Sequence, residues 1–301
     1  MPGDTKVTTK QDPALHRIES LARRRTETDR RMGYIWMIIP LLPLIGAIAI
    51  GGIFLGMLVS ILPRIGNLSQ PTTAQNEIEP IVGGLLALYG VGVIVYLAVL
   101  LFGALSFYYM IDRRNRHFSR QQLLFSTIHA YLSSKGPASD NIAQLGYLSE
   151  DSIYAETARP AGIWAILFIF ITPIVVLIAS FNLTHDMRKH DDLQSKYQAA
   201  LATSLVESGF QEPNFDAYKF HSRDTALFII LTAITGGLFW IYWYYTLLRD
   251  YNEHFRDQAS FEDEILKILI PVPAERTCGT CGGRVLAVAR FCPNCGSQQS
   301  N

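Results

Sequence analysis

The chain has 301 residues, 49% of them hydrophobic and 17% charged, and 26 Lys and Arg balance 26 Asp and Glu to a formal net charge of zero. The charge is strongly segregated: stretches 34–62, 80–111, 160–181 and 225–247 carry no charged residue at all. Each exceeds the roughly 18 apolar residues that mark a membrane span, and four such runs exclude an ordinary soluble domain.

Residues 1–33 are polar and basic, with eight Lys or Arg including Arg23, Arg24, Arg25, Arg30 and Arg31. They lack the early apolar core of a signal peptide, so the first span is expected to act as its own insertion signal. That span, 34–62, contains Pro40 and Pro43, which remove backbone donors and predict a kink. It also carries Gly46, Ala47, Gly51, Gly52 and Gly56, and the second span carries Gly83, Gly84, Gly90 and Gly92. Small residues let helix backbones approach closely in lipid, and the Gly52–Gly56 step suits packing within the bundle or a homo-oligomer.

The second span, 80–111, runs into the motif NRHFSRQ (115–121). A linker at 133–159 leads to the third span, 160–181, which contains Pro173. The stretch 182–224 reads as a long outer loop with a helix over 193–209 ending at Gly209. Its three histidines, His185, His190 and His221, are not joined by cysteine, and His185 and His190 are five apart, on different helix faces. They read as solvated surface residues. Asn67 and Asn182 head Asn-x-Ser/Thr triplets on the same expected side. The fourth span, 225–247, is followed by NEHFRDQ (252–258).

This last motif repeats the first, with Asn, His, Phe and Gln at the same spacing, and GYIWMII (33–39) parallels AGIWAIL (161–167). Two fragments matching in the same order predict a duplicated unit, 34–132 and 160–270, arranged as parallel repeats. A repeated Asn-x-His-Phe cluster could bind metal or headgroups. Its position after an aromatic-rich helix end instead suits a helix that leaves the bilayer and packs on its partner, and that structural reading is adopted. None of the spans contains Asp, Glu, Lys, Arg or His, which argues against a proton-coupled transporter. Thr172, Thr232, Thr235, Tyr89 and Tyr96 would either line a path for a neutral solute or make interhelical hydrogen bonds.

Twenty of the 26 basic residues lie in 1–33, 112–159 and 248–301, which places both termini in the cytoplasm of a multi-pass plasma-membrane protein. The tail 271–301 contains CGTCGG (278–283) and CPNCG (292–296). Two Cys-x-x-Cys pairs supply the four thiolates that Zn2+ prefers, so Cys278, Cys281, Cys292 and Cys295 are expected to form a structural zinc ribbon with RVLAVARF (284–291) as its strand. No His follows either pair, which excludes haem attachment, and a cytoplasmic location disfavours disulfides. Arg276, Arg284 and Arg290 are thin for a nucleic-acid surface, so the ribbon is expected to contact protein.

The cysteine tail resembles the short zinc ribbons appended to many prokaryotic proteins. The stretch TGGLFWIYWYYTLLRDYNEHFRDQ (235–258) resembles an uncharacterised family of small two-span membrane domains. That resemblance implies architecture and no activity, and SFYYM in the first repeat departs from it.

The expectation is an all-α integral membrane protein of four transmembrane helices in two hairpins with cytoplasmic helical extensions, plus the ribbon. No Ser-His-Asp, His-Glu-x-x-His or paired-carboxylate pattern stands at a membrane boundary, and Asp112 beside Arg113 reads as a solvated helix end. The expected function is therefore non-enzymatic: an adaptor or regulator held to the bilayer and to a protein partner. The alternative is a channel or carrier for a neutral or lipidic solute.

Overall fold

The computed structural model describes residues 12–65, 71–215, 223–270, 275–286 and 291–298. Its elements are α1 (Pro13–Arg23), α2 (Arg25–Thr28), a 3-10 helix (Tyr34–Leu41), α3 (Leu42–Ile65), α4 (Pro71–Lys135), α5 (Asp140–Ala155), α6 (Ala161–Glu207), α7 (Thr225–Ile234), α8 (Phe239–Leu269), β1 (Glu275–Thr277) and β2 (Arg284–Leu286). By length and composition three helical segments suit a membrane crossing: Tyr34–Leu62, Ile81–Lys135 and Ala161–Glu207. Pro40 sits in the 3-10 helix, where the chain tightens before α3.

α3 and α4 form a long antiparallel hairpin. Glycines set its closeness at particular points: a Cβ on Gly46 would lie 2.8 Å from Val95 Cγ1, and one on Gly84 would lie 3.0 Å from Met57 Cε. Gly52 and Gly56 face open space instead, so this small-residue step does not pack α3 onto α4. Tyr89 and Tyr96 are exposed.

The other two uncharged runs do not fold as straight spans. α6 breaks at Ile171 (φ −136°, ψ 47°), two residues before Pro173. Arg159, ahead of α6, donates from its guanidinium to both carboxylate oxygens of Asp186 at 2.6 and 2.7 Å. A straight helix would hold residues 27 positions apart at about 40 Å, so the chain must double back. The run 225–247 does the same. α7 ends at a turn where Gly236 (φ 58°) and Gly237 (φ 94°) take left-handed backbone that a side chain would strain. Arg223 then meets Asp250 at 2.8 and 3.0 Å across the mouth of the hairpin. Each ingoing arm of about ten residues is about 15 Å long. The expected third and fourth spans are thus corrected to two short hairpins. Twenty-odd uncharged residues suffice for one crossing or for two half-length arms, and Pro173 and Gly236-Gly237 select the second.

The expected outer loop is corrected with them. The predicted helix ending at Gly209 is real, since α6 stops at Glu207 and Gly209 has φ 82°. It packs against the end of α4, however: Tyr197 Oη donates to the Phe125 carbonyl at 3.0 Å, with the two rings stacked 3.7 Å apart. Residues 187–207 therefore stand beside 112–135, within one bundle.

That bundle is built from the C-terminal halves of α4, α6 and α8, with α1 and α5 laid on it. One core, around Phe107, Phe168, Trp243, Tyr244 and Tyr251, joins the short hairpins to α4. A second, around Ile18, Phe125, Ile128, Leu201, Leu205 and Ile265, fills the far end. Thr172, Thr232 and Thr235 donate back to carbonyls of their own helices, those of Phe168, Phe228 and Leu231, rather than across the interface.

Candidate metal centres

The four cysteines come together as their spacing requires. β1 and β2 pair antiparallel, with Arg276 opposite Val285, and bring the first knuckle back on itself. The two knuckles repeat one geometry: Gly282 N donates to Cys278 O, and Gly296 N to Cys292 O. Gly282 (φ 69°) and Gly296 (φ 71°) each follow a pair in the left-handed region. Sγ of Cys278 lies 3.8 Å from that of Cys295, and Sγ of Cys281 lies 3.6 Å from that of Cys292. A tetrahedral ion with metal–sulfur bonds of about 2.3 Å separates its sulfurs by about 3.8 Å, so this set can hold a metal ion. The Ser297 hydroxyl, 3.3 Å from Cys278 Sγ, helps bring that thiol down to about 5.

A second cluster lies inside the helical bundle. His117 of α4, His190 of α6 and His254 of α8 are all buried, with ring centroids 5.3, 4.9 and 4.8 Å apart. Each ring has a carboxylate beside Nδ1: Asp29 lies 3.0 Å from that of His117, though not aligned for a hydrogen bond, Glu156 lies 2.7 Å from that of His190, and Asp191 lies 3.1 Å from that of His254. Nε2 of His117 and Nε2 of His254 face each other at 3.0 Å. Nε2 of His190 is buried with no hydrogen-bond partner among the described residues. Phe118 stacks on His190 at 4.1 Å, Phe255 covers His117 at 4.7 Å, and Arg114 lies over Phe118.

Burial pushes the His117 imidazole down to about 3, against the pull of Asp29, so it is neutral at physiological pH. Burial lowers His254 as well. It would raise the Asp29 carboxyl, but His117 and Arg120 outweigh it and hold that group well below the usual range. Glu262, enclosed one layer further along, is pushed up to about 7 by burial despite Arg120.

The same helices repeat a glutamine four residues after each histidine. Gln121 donates to Gln194 at 3.1 Å, Gln194 donates to Gln258, and Gln258 donates to Glu262 at 2.9 Å. The asparagines of the repeated motif also do matching jobs. Asn252 binds both N and O of Met32, just before the 3-10 helix, and Asn115 binds both N and O of Arg159, just before α6. Three residues ahead of each clamped position stands a carboxylate of the cluster, Asp29 or Glu156.

The Asn-x-His-Phe exits therefore pack as expected, but they also deliver His117 and His254 to one centre. His190 is corrected from a surface residue to a buried third member, and His185 is exposed. His221 and Asn67 lie outside the described residues. Asp112 pairs with Arg116 at 2.9 Å one helical turn on, and it stands inside α4 rather than at a helix end. The missed signal is a third His-x-x-x-Gln at 190–194, after those at 117–121 and 254–258. Comparison with family models, curated proteins and solved structures finds no match for this chain.

Proposed function

We propose that the protein is a non-enzymatic membrane adaptor or regulator that holds a protein partner on its cytoplasmic face. The observation that carries this reading is the doubling back of the two short hairpins. It gathers the N-terminal helices, the bundle and the tail on one side of the apolar segments. Among the described residues every Lys and Arg except Arg64 then falls on that side, a stronger bias toward the cytoplasm than four spans would give. In this reading α3 and α4 cross the bilayer, and the short hairpins enter to about half of its roughly 30 Å core. The ribbon holds zinc and presents a contact surface beside the membrane, and basic residues near the apolar segments add attraction to anionic lipid. The repeated clamps by Asn115 and Asn252 support a duplicated ancestry for the two halves. The space between hairpins and α4 is filled by Phe107, Phe168 and Trp240, which favours an adaptor over a solute path.

Cysteines placed at Lys196 and at Asp140, in a chain whose native cysteines are serines, should both react with an impermeant maleimide from the cytoplasmic side only. Labelling of Lys196→Cys from the opposite side would restore four crossings. The function itself is tested by crosslinking mass spectrometry on cell membranes containing the full chain or one lacking 271–301. A partner set that is the same in both counts against the adaptor role of the ribbon.

A further inference from the structure

We propose that His117, His190 and His254 form a second metal site, taking one divalent ion of the zinc class on their three Nε2 atoms. It is separate from the ribbon and from the adaptor reading, because its ligands lie within the helical bundle.

The argument begins with tautomers. A neutral imidazole has one N–H and one lone pair, and a carboxylate at Nδ1 fixes the N–H on that side. Glu156 bonds Nδ1 of His190, and Asp29 and Asp191 lie 3.0 and 3.1 Å from Nδ1 of His117 and His254, which favours the N–H on Nδ1 and the lone pair on Nε2 in each ring. Two of these nitrogens meet at 3.0 Å and the third is buried without a hydrogen-bond partner among the described residues. Lone pairs converging in a dry interior repel unless a cation lies between them. Arrangements of carboxylate, histidine and metal are built this way, the carboxylate orienting the ring and raising its basicity.

The dimensions agree. One ligand atom from each histidine fits within a 4.8 Å set. Metal–nitrogen bonds of about 2.0–2.1 Å in tetrahedral geometry separate the nitrogens by about 3.4 Å, inside the observed range. Imidazole nitrogens without thiolate suit zinc, copper, iron or nickel rather than magnesium or calcium. The three carboxylates offset the charge of a divalent ion, and Arg120, bound to Asp29 at 2.7 Å, balances the remainder. Three protein ligands leave a fourth position open.

The test uses the full chain in detergent with Cys278, Cys281, Cys292 and Cys295 all changed to serine, so that the ribbon cannot compete. Titrated with Co2+, it should take up one ion per chain, with visible ligand-field bands and no thiolate charge-transfer absorption. X-ray absorption should show nitrogen neighbours at about 2.0 Å. Glu156→Gln in the same background, as a positioning change, should weaken affinity about 10- to 100-fold, and His190→Ala should abolish it. Should His190→Ala not fold, thermal unfolding of the four-serine chain with and without Zn2+ decides, and a raised midpoint is expected. A folded four-serine chain that binds no Co2+ and gains no stability from Zn2+ overturns the proposal and leaves a shared proton at the centre. Uptake unaffected by both Glu156→Gln and His190→Ala overturns it as well.

Discussion

Removing the metal from the four-cysteine ribbon is expected to unfold residues 275–298 while α4, α6 and α8 keep their structure. Among the described residues the buried core of this segment is Val285 between Cys278 and Cys292, and its strands are three residues each. A two-stranded hairpin of that size is at best marginal in water. Structural zinc supplies an apparent binding energy of about 10–16 kcal/mol at neutral pH, far more than one valine contributes by leaving water, about 2 kcal/mol. Hydrogen exchange on the full chain reads the outcome directly. With a high-affinity chelator, amides of 275–286 should pass from protected to freely exchanging. Replacing Cys278 and Cys292 by serine should give the same pattern without chelator. Persistent protection of the β1–β2 pairing in the chelated chain would show that the fold stands without metal.

Arg120→Met should cost about 3–5 kcal/mol of stability, the range seen when one partner of a buried ion pair is removed. The guanidinium joins three parts of the molecule: Glu262 on α8 at 2.8 Å, Asp29 at 2.7 Å and the Leu21 carbonyl of α1 at 3.3 Å. Methionine keeps much of the stem and removes the charge, leaving two buried carboxyls facing each other. The loss should depend on pH with a definite sign. Glu262 already has a folded pKa of about 7, above its ordinary 4.5. Its contribution is therefore fully present below 4.5 and lost as pH rises through 7, and without Arg120 the folded pKa rises further. The variant should be weakest at alkaline pH, and adding Glu262→Gln should recover part of the loss there. Denaturant unfolding in micelles at two pH values measures both effects. A loss under about 1 kcal/mol would mean that the network is bypassed by water.

How much of this was legible in the sequence varies by level. The uncharged runs, the bundle-forming helix ends and the cysteine knuckles followed from composition and spacing, because hydropathy and thiolate chemistry act locally. The depth of each run did not, since an uncharged length measures hydrophobicity and not direction. A closer sign was present: Arg159 and Asp186, and Arg223 and Asp250, bracket the two runs at the same separation of 27 with opposite charge. The histidine centre was missed for a related reason. Along its own helix the nearest histidine to His190 is His185, and the two point apart. Its true partners, His117 and His254, are more than sixty residues away and share with it only the glutamine one turn on. Asp29 and Glu156 carry no motif at all, and their role depends on where the asparagine clamps set the chain.

The glutamine ladder has a consequence for how this molecule can move. On each of α4, α6 and α8 the histidine level and the glutamine level are one helical turn apart, and the amides all donate in one direction toward Glu262. Sliding any helix by a turn, about 5.4 Å, would set a ring against an amide and break two levels at once. The three shafts are thus keyed against axial ratcheting, one of the usual ways in which packed helices switch. They remain free to tilt together. A push on the apolar hairpins would then arrive at the far end of the bundle as a change of angle, with its register intact.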